Sequence, residues 1–116
     1  FESVPTKLNQ LDEKPNPSDQ EVYLVFFYVD WCPHCTSMKE DWKKLEGEVD
    51  GNQVNTKKVN IKACNAEGTD LQKELTNEVG VNGFPTIKMI KKNEIVDLTG
   101  GRSFEELKEF IDKNTK

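Results

Sequence analysis

The longest apolar stretch of the chain runs from Val22 to Val29 and carries β-branched and aromatic side chains on both of its faces. Strands covered on both sides show this pattern, so we predict a central strand here. The period then becomes helical, and Gly47 and Gly51 mark where the predicted helix weakens and ends. Its buried stripe consists of Met38, Trp42, Leu45 and Val49.

Two further elements follow from weaker patterns. Alternating apolar residues predict a second strand over Lys57 to Ile61. A helix is predicted from about Ala66 to Glu78, and it stops at Gly80. The inward side chains of this helix are Leu71, Leu75 and Val79.

The last third of the chain predicts a hairpin and a helix. Gly83 to Thr86 interrupts the chain before a strand from Thr86 to Lys91, which the turn Lys92-Asn93 joins to a strand from Glu94 to Leu98. The segment from Ser103 to Glu106 matches a helix capping box. In the helix that begins there, Phe104, Leu107 and Ile111 lie on one face.

The order of elements predicts the fold class. Residues Phe1 to Gln20 read as a short extended piece and a turn-rich connection, and the capping-box match at Ser18 to Glu21 is discounted because a strand follows it. The order strand, helix, strand, helix, strand, strand, helix then demands a parallel crossover and an antiparallel hairpin. We expect one α/β domain over residues 1–116, with a mixed central sheet flanked by helices.

Composition narrows the function classes. The chain has 116 residues, enough for one domain, and only 34% of them are hydrophobic, which implies a small core. The net charge of −5 argues against a nucleic-acid binder. The eight-residue apolar run is too short to span a bilayer, so we expect no transmembrane helix. The chain starts at Phe1 rather than Met, so the absence of a leader says nothing about secretion.

Two of the three cysteines carry the candidate chemistry. Cys32 and Cys35 lie three residues apart at the predicted start of the first helix, where residues i and i+3 share a face. The positive end of the helix dipole favours a thiolate there and lowers the thiol pKa. Pro33 suits the first helical turn, and His34 places a second cationic group beside the same sulfur. We predict thiol–disulfide exchange, in which Cys32 attacks and Cys35 resolves the mixed disulfide.

Other interpretations of this pair stay open. The two residues are alternatively free core cysteines or half of a metal site, since zinc sites use the same spacing. A metal would need further ligands, and only His34 and Cys64 are available. We expect no metal and no cofactor beyond the dithiol itself.

At this point the sequence resembles the thioredoxin superfamily, from about Glu21 to Asn114, with residues 1–20 variable. The resemblance rests on three segments, which are Val25 to Cys35, Val59-Asn60-Ile61 and Val81 to Thr86. In their local sequence these segments look most like a protein disulfide-isomerase catalytic domain. The dipeptide between the two cysteines, Pro33-His34, is the one found in the periplasmic oxidant DsbA.

The resemblance implies further site residues. Pro85 is expected to follow a cis peptide bond and to face the cysteine pair. The backbone of Phe84 is then expected to hydrogen-bond an extended substrate, and Trp31 to shape the surface that the substrate contacts.

Three positions depart from the family pattern. The family places a buried acid six residues before the attacking cysteine, where this chain has Phe26, and its partner lysine is expected at Lys58. We therefore predict slow release of mixed disulfides near neutral pH. Glu40 replaces the proline that kinks the active-site helix. The hairpin turn lacks glycine and relies on Asn93, which tolerates a left-handed conformation.

The direction of electron flow is open. The His34 imidazolium favours the Cys32 thiolate and a more oxidising disulfide, against a weak opposing effect of Asp30, and we expect a reduction potential of about −230 to −150 mV. We interpret Cys64 as a small, partly buried residue rather than a regulatory thiol. The acidic residues Glu46, Glu48 and Asp50 are interpreted as a solvated face, and Trp42 as helix packing.

The expected function is that of an isomerase-like or mildly oxidising thiol–disulfide oxidoreductase acting as a monomer on cysteine-containing proteins. It would be served by a reductase, an oxidase or glutathione. It would act in an oxidising compartment, namely the endoplasmic reticulum lumen, the periplasm or the cell exterior, with the cytoplasm as the alternative. The competing functions are a cytosolic thioredoxin-like reductant and a non-catalytic binding module of the same fold.

Overall fold

The computed structural model describes residues 8–116, in which five strands form one mixed sheet. The strands are β1 Glu21–Tyr28, β2 Gln53–Val54, β3 Lys57–Asn65, β4 Thr86–Ile90 and β5 Ile95–Asp97. They lie in the order β2-β3-β1-β4-β5. β1 runs parallel to β3 and antiparallel to β4, while the outer pairs β2-β3 and β4-β5 are antiparallel.

Three helices cover the two faces of the sheet. They are α1 Pro33–Val49, α2 Asp70–Glu78 and α3 Phe104–Asn114. Side chains of α1 and α3 pack on one face of the sheet, and those of α2 pack on the other. This arrangement confirms the predicted α/β class.

The central strand is buried on both sides, as its composition predicts. Leu24 and Phe26 face α1 and α3, whereas Val25 and Phe27 face α2, and all four side chains are fully buried. The stripe predicted for the first helix is also confirmed, since its four members are all buried in α1. Burial of these apolar side chains positions the N-terminus of α1 at the end of β1.

One strand and one turn were missed by the sequence interpretation. β2 pairs with the start of β3 through a two-residue turn at Asn55 and Thr56. Among the described residues other than glycine, Asn55 is the one with a positive φ, which is 55°. Asn93 does not adopt the left-handed conformation, so the expectation that the β4–β5 turn relies on it is wrong. The Asn55 side chain bonds Asp112 and Thr115 at the end of α3, which holds it in this conformation.

The second helix starts later than predicted. α2 begins at Asp70 rather than Ala66, because residues 66–68 form a turn whose Glu67 N–H donates to the Asn65 side chain. Thr69 caps the helix, and its side chain and that of Gln72 make a reciprocal capping box. β3 in turn extends to Asn65, four residues beyond the predicted Ile61.

The segment before β1 extends the sheet by a short stretch. Gln10 forms an isolated parallel bridge with Ala63, in which the Leu11 N–H donates to the Ala63 carbonyl and the Ala63 N–H donates to the Asn9 carbonyl, both at 2.8 Å. The start of the extended piece predicted over Phe1 to Gln20 lies outside the described residues. Within residues 8–116, no helix is long and apolar enough to cross a membrane.

Candidate active site

Cys32 lies at the junction of β1 and α1, where it is the N-cap residue of the helix. Its backbone is extended, with φ −88° and ψ 116°, and Pro33 occupies the first helical position. Its Sγ accepts a hydrogen bond from the Cys35 N–H at 3.3 Å. The sulfur thus takes the position at which N-cap side chains usually accept from an unpaired helix N–H, which favours a negative charge on it.

The two thiols have opposite protonation preferences. The pKa of Cys32 is lowered, first by the hydrogen bond from the Cys35 thiol and then by backbone N–H groups of Cys35 and His34. Burial raises the pKa of Cys35 to about 11, and its hydrogen bond to Cys32 adds to that rise. Cys32 retains 6% of its surface and Cys35 none. The less enclosed of the two sulfurs is therefore also the one whose pKa is lowered and which ionises first.

A second loop closes over the cysteines. The peptide bond between Phe84 and Pro85 is cis, as expected from the resemblance. The loop brings the Phe84 carbonyl oxygen to 3.8 Å from Cys32 Sγ, within reach of a weak thiol hydrogen bond. Pro85 is buried and Phe84 is half-buried beside this contact.

The charges around Cys32 differ from the expected set. Both Pro33 and His34 are exposed, and the part of His34 that lowers the Cys32 pKa is its backbone N–H. Arg102, in the loop before α3, contributes a further positive charge that lowers this pKa. Sequence reasoning missed Arg102 because no spacing rule connects it with residues seventy positions earlier.

Trp31 is 70% exposed beside the cysteine pair. Its indole Nε1 donates to both carboxylate oxygens of Glu67, at 3.1 and 3.2 Å. Glu67 lies in the turn between β3 and α2, so this contact fixes the indole across the edge of the site. The structure therefore brings Trp31 next to Cys32, and it adds Glu67 as a residue that the sequence did not single out.

The position of the family's buried acid is filled with aromatic side chains. Phe26 is fully buried, and its ring lies 5.2 Å from the rings of both Tyr28 and Trp42. The expected partner Lys58 is exposed and pairs in register with Glu21, whereas Phe26 pairs with Ala63. Lys58 is thus five positions along the strand, about 16 Å away, and the expectation that it belongs to this site is wrong.

Two other expectations concern α1 and Cys64. α1 runs without interruption through Glu40, the position at which the family has a proline. Cys64 is completely buried on the α2 side of the sheet, where its thiol donates to the Gln72 carbonyl at 3.3 Å. Burial raises its pKa, so it is a structural thiol more deeply enclosed than expected.

The acidic group at the far end of α1 is only partly a solvated face. Glu48 and Asp50 are exposed, but Glu46 retains 8% of its surface and accepts a hydrogen bond from the Asn9 N–H at 2.8 Å. Burial raises the pKa of Glu46 to about 6. The expectation fails for Glu46 because the segment before β1 packs over it, a contact that helical spacing does not reveal.

Between residues 8 and 116, no cluster of three or more His, Cys, Asp or Glu side chains lies close enough to hold an ion. Cys64 is on the opposite face of the sheet from Cys35, so the structure does not unite the ligands that the metal-site alternative would require.

Comparison with known proteins assigns the family. The chain belongs to the thioredoxin family, whose model matches residues 8–113. It is 39% identical to protein disulfide-isomerase A6 of Mesocricetus auratus over 85 residues, which are 72% of this chain and 18% of that protein. It is 31% identical to protein disulfide-isomerase TMX3 of Xenopus laevis over 115 residues, or 96% of this chain and 24% of that protein.

A solved structure gives the same assignment. The first thioredoxin domain of mouse protein disulfide-isomerase A4 superposes with a TM-score of 0.69 at 26% identity, covering 84% of this chain and 66% of that one. The chain is a thioredoxin domain homologous to thiol–disulfide oxidoreductases of the protein disulfide-isomerase family. It spans about a fifth to a quarter of the length of the curated relatives named above.

Proposed function

We propose that this chain catalyses dithiol–disulfide exchange with protein cysteines and works as an isomerase or mild oxidant. The observation that carries the proposal is the cysteine pair at the start of α1, where the Cys35 N–H donates to Cys32 Sγ, the Cys32 pKa is lowered and burial raises the Cys35 pKa. A low pKa on the accessible sulfur and a high one on the enclosed sulfur give the two cysteines different roles.

The reaction begins with the cysteine pair in its reduced state. The Cys32 thiolate attacks a substrate disulfide, the substrate S–S bond breaks, and one substrate sulfur leaves as a thiolate that takes a proton from water. Cys35 then loses its proton to solvent and attacks Cys32 Sγ. This step forms the Cys32–Cys35 bond, breaks the mixed disulfide and releases the second substrate thiolate. Run in reverse, the same steps transfer a disulfide to the substrate.

The surface beside Cys32 suits an extended peptide. The Phe84 carbonyl near the sulfur offers a backbone acceptor, and the indole of Trp31 offers an exposed apolar wall held by Glu67. We assign Trp31, Phe84 and Pro85 to substrate binding, and Pro33 and His34 to setting the reactivity of Cys32. Neither step of the reaction uses a metal or an organic cofactor.

The biological setting is proposed on the same basis. The relatives are named disulfide-isomerases, and protein disulfides persist in oxidising compartments, so we place the chain in such a compartment. In this proposal residues 1–116 act together as a single thioredoxin-like domain, and the domain works as a monomer. A reductase, an oxidase or glutathione returns the dithiol to its working state.

The test compares the three cysteines in one assay. Refolding of a scrambled disulfide protein is followed with the wild type, Cys32→Ser, Cys35→Ser and Cys64→Ala. We expect Cys32→Ser to abolish turnover, Cys35→Ser to accumulate mixed disulfide, and Cys64→Ala to retain activity because its thiol is buried away from the pair. Equal activity of Cys32→Ser and the wild type would refute the mechanism.

The reduction potential of the pair separates this proposal from its alternatives. Equilibration in glutathione buffers with thiol trapping should give a value above about −200 mV for a disulfide donor or isomerase. A value near about −270 mV would instead identify a thioredoxin-like reductant. If Cys32 and Cys35 show no reversible dithiol–disulfide couple, the chain is a non-catalytic binding module.

A further inference from the structure

The resolving step has an unmet electrostatic requirement in this chain. Cys35 is completely buried, and its thiol must ionise before it can attack the mixed disulfide. The side chain that could have taken its proton is replaced by Phe26, which is fully enclosed between aromatic rings. Besides the Val29 backbone, whose hydrogen bond lowers the Cys35 pKa, a nearby positive charge is a means by which the fold can favour the Cys35 thiolate.

Lys39 is placed to provide that charge. It lies four residues after Cys35 on α1, and residues at this spacing are neighbours on one helix face. Its Nζ lies 5.0 Å from the centre of the Tyr28 ring and 3.5 Å from the Asp30 carboxylate. Tyr28 is the last residue of β1, and Asp30 lies in the short segment through which the chain enters the active site. These two contacts hold the Lys39 ammonium beside the segment that joins β1 to the active-site cysteines.

The partners of Lys39 are themselves fixed. Tyr28 is 4% exposed, its hydroxyl accepts a hydrogen bond from Gln10 Nε2 at 2.6 Å, and its ring stacks on Phe26. The side chain of Lys39 is 26% exposed, whereas that of Asp30 is 72% exposed. The lysine is therefore the more enclosed member of the ion pair, so its field on the interior is screened less than that of the aspartate.

We propose that Lys39 is a positioning residue for the resolving step, holding a positive charge that favours ionisation of Cys35 in the mixed disulfide. This inference rests on the proposed function. The charge of Lys39 lowers the Cys35 pKa, in opposition to burial, which agrees with the geometry. The titratable or charged groups around Cys35 are Cys32 at the N-cap of α1, His34 and Lys39 on α1, Tyr28 at the end of β1 and Asp30 two residues later, together with the charge of Arg102, which acts on Cys32.

The first experiment measures the charge state of Cys35 in the reduced chain. The Cβ chemical shift of Cys35 is followed by NMR against pH in the wild type, Lys39→Met, Lys39→Arg and the control Lys43→Met. Lys43 lies one turn further along α1, is similarly enclosed and pairs with Glu40 at 3.7 Å. We expect Lys39→Met alone to raise the Cys35 pKa, by about half a unit.

The second experiment measures release of the mixed disulfide. Reduced protein is mixed with oxidised glutathione, and the second kinetic phase reports attack of Cys35 on the Cys32–glutathione bond. A half-unit rise in pKa leaves about threefold less thiolate, partly offset by its higher nucleophilicity, so release should slow by about twofold. Lys39→Arg should restore the rate, and added salt should narrow the difference between Lys39→Met and the wild type.

The outcomes separate this inference from the proposed function. A Cys35 pKa in Lys39→Met equal to that in Lys43→Met overturns the role of Lys39, as does a release rate that Lys39→Arg fails to restore. If the wild type itself shows no release phase, the proposed function fails, and the NMR titration still decides whether Lys39 acts on Cys35.

Discussion

Helix α1 buries an ionisable side chain near each of its ends, Cys35 in the first turn and Glu46 in the last. Burial is the largest cause of the raised pKa at both positions. At the start of the helix, the protonated Cys35 thiol donates a hydrogen bond to Cys32, and this bond lowers the Cys32 pKa. At the far end, the Glu46 carboxylate accepts the Asn9 N–H and attaches the segment before β1 to the helix. Burial alone therefore does not make a reactive site, because a second thiol at a helix N-terminus is also needed.

The largest expected effect comes from moving a buried acid to the active-site end. Phe26→Glu should destabilise the fold by about 3 to 5 kcal/mol, because it removes two ring contacts and buries a carboxyl group. It should nevertheless speed release of mixed disulfides near neutral pH, since the acid can accept the Cys35 proton. Urea denaturation and glutathione-release kinetics measure the two effects, with Phe26→Leu as the uncharged control. An unchanged release rate would contradict the role assigned to this position.

The opposite change removes the buried acid, Glu46, from the last turn of α1. The folded protein binds the Glu46 proton more tightly than the unfolded chain does, because its pKa is raised from 4.5 to about 6. The ionised carboxylate therefore costs stability above about pH 6, and this cost disappears as the pH falls below 4.5. Glu46→Gln should raise the free energy of unfolding by up to about 2 kcal/mol at pH 7 and leave it unchanged near pH 4.

Urea denaturation at the two pH values tests this prediction. Glu48→Gln is the matched control, since Glu48 is exposed and contacts Lys108 only at 3.9 Å. A gain for Glu46→Gln that is the same at both pH values would show that charge burial is not its cause.

The separated thiol pKa values should be visible in the pH dependence of the reduction potential. Reduction takes up two protons below the Cys32 pKa and one proton between the Cys32 and Cys35 values. The potential should therefore fall by about 59 mV per pH unit at low pH and by about 30 mV above the first break. The smaller slope should persist up to the Cys35 pKa of about 11. A slope that stays at about 59 mV per pH unit up to pH 9, the ordinary cysteine pKa, would mean that the Cys32 pKa is not lowered.

The smallest expected effect concerns His34. His34→Leu should make the potential more reducing, but by less than about 30 mV, because the backbone N–H that favours the Cys32 thiolate is retained. Equilibration in glutathione buffers measures the shift. A larger change would assign the dominant influence to the imidazole, and no change would remove His34 from the site.

Features that depend on local period or spacing were predictable from the sequence. The two-sided strand β1, the buried stripe of α1 and the pairing of Cys32 with Cys35 follow from residue type and spacing alone. The capping box at Ser103 also predicted the start of α3 within one residue. These features require no knowledge of how distant segments meet.

The features that were missed depend on contacts between distant segments. The charge of Arg102, in the loop before α3, acts on Cys32, and Glu46 accepts a hydrogen bond from the segment around Asn9. β2 has only two residues, and its turn is held by the end of α3 rather than by a strong local signal. Lys58 was placed in the site from family position, and only the pairing of β1 with β3 shows that it lies elsewhere.

The contact between the β2–β3 turn and the end of α3 also bears on how the protein is made. The Thr115 carbonyl accepts hydrogen bonds from the Thr56 N–H and hydroxyl, so this contact awaits a residue synthesised eighty positions after Cys35. At about 5 to 20 residues per second, translation leaves roughly 4 to 16 seconds between the two. During that interval α3 has not packed on α1, and the turn at Asn55 lacks the hydrogen bonds that later hold its backbone in the left-handed conformation.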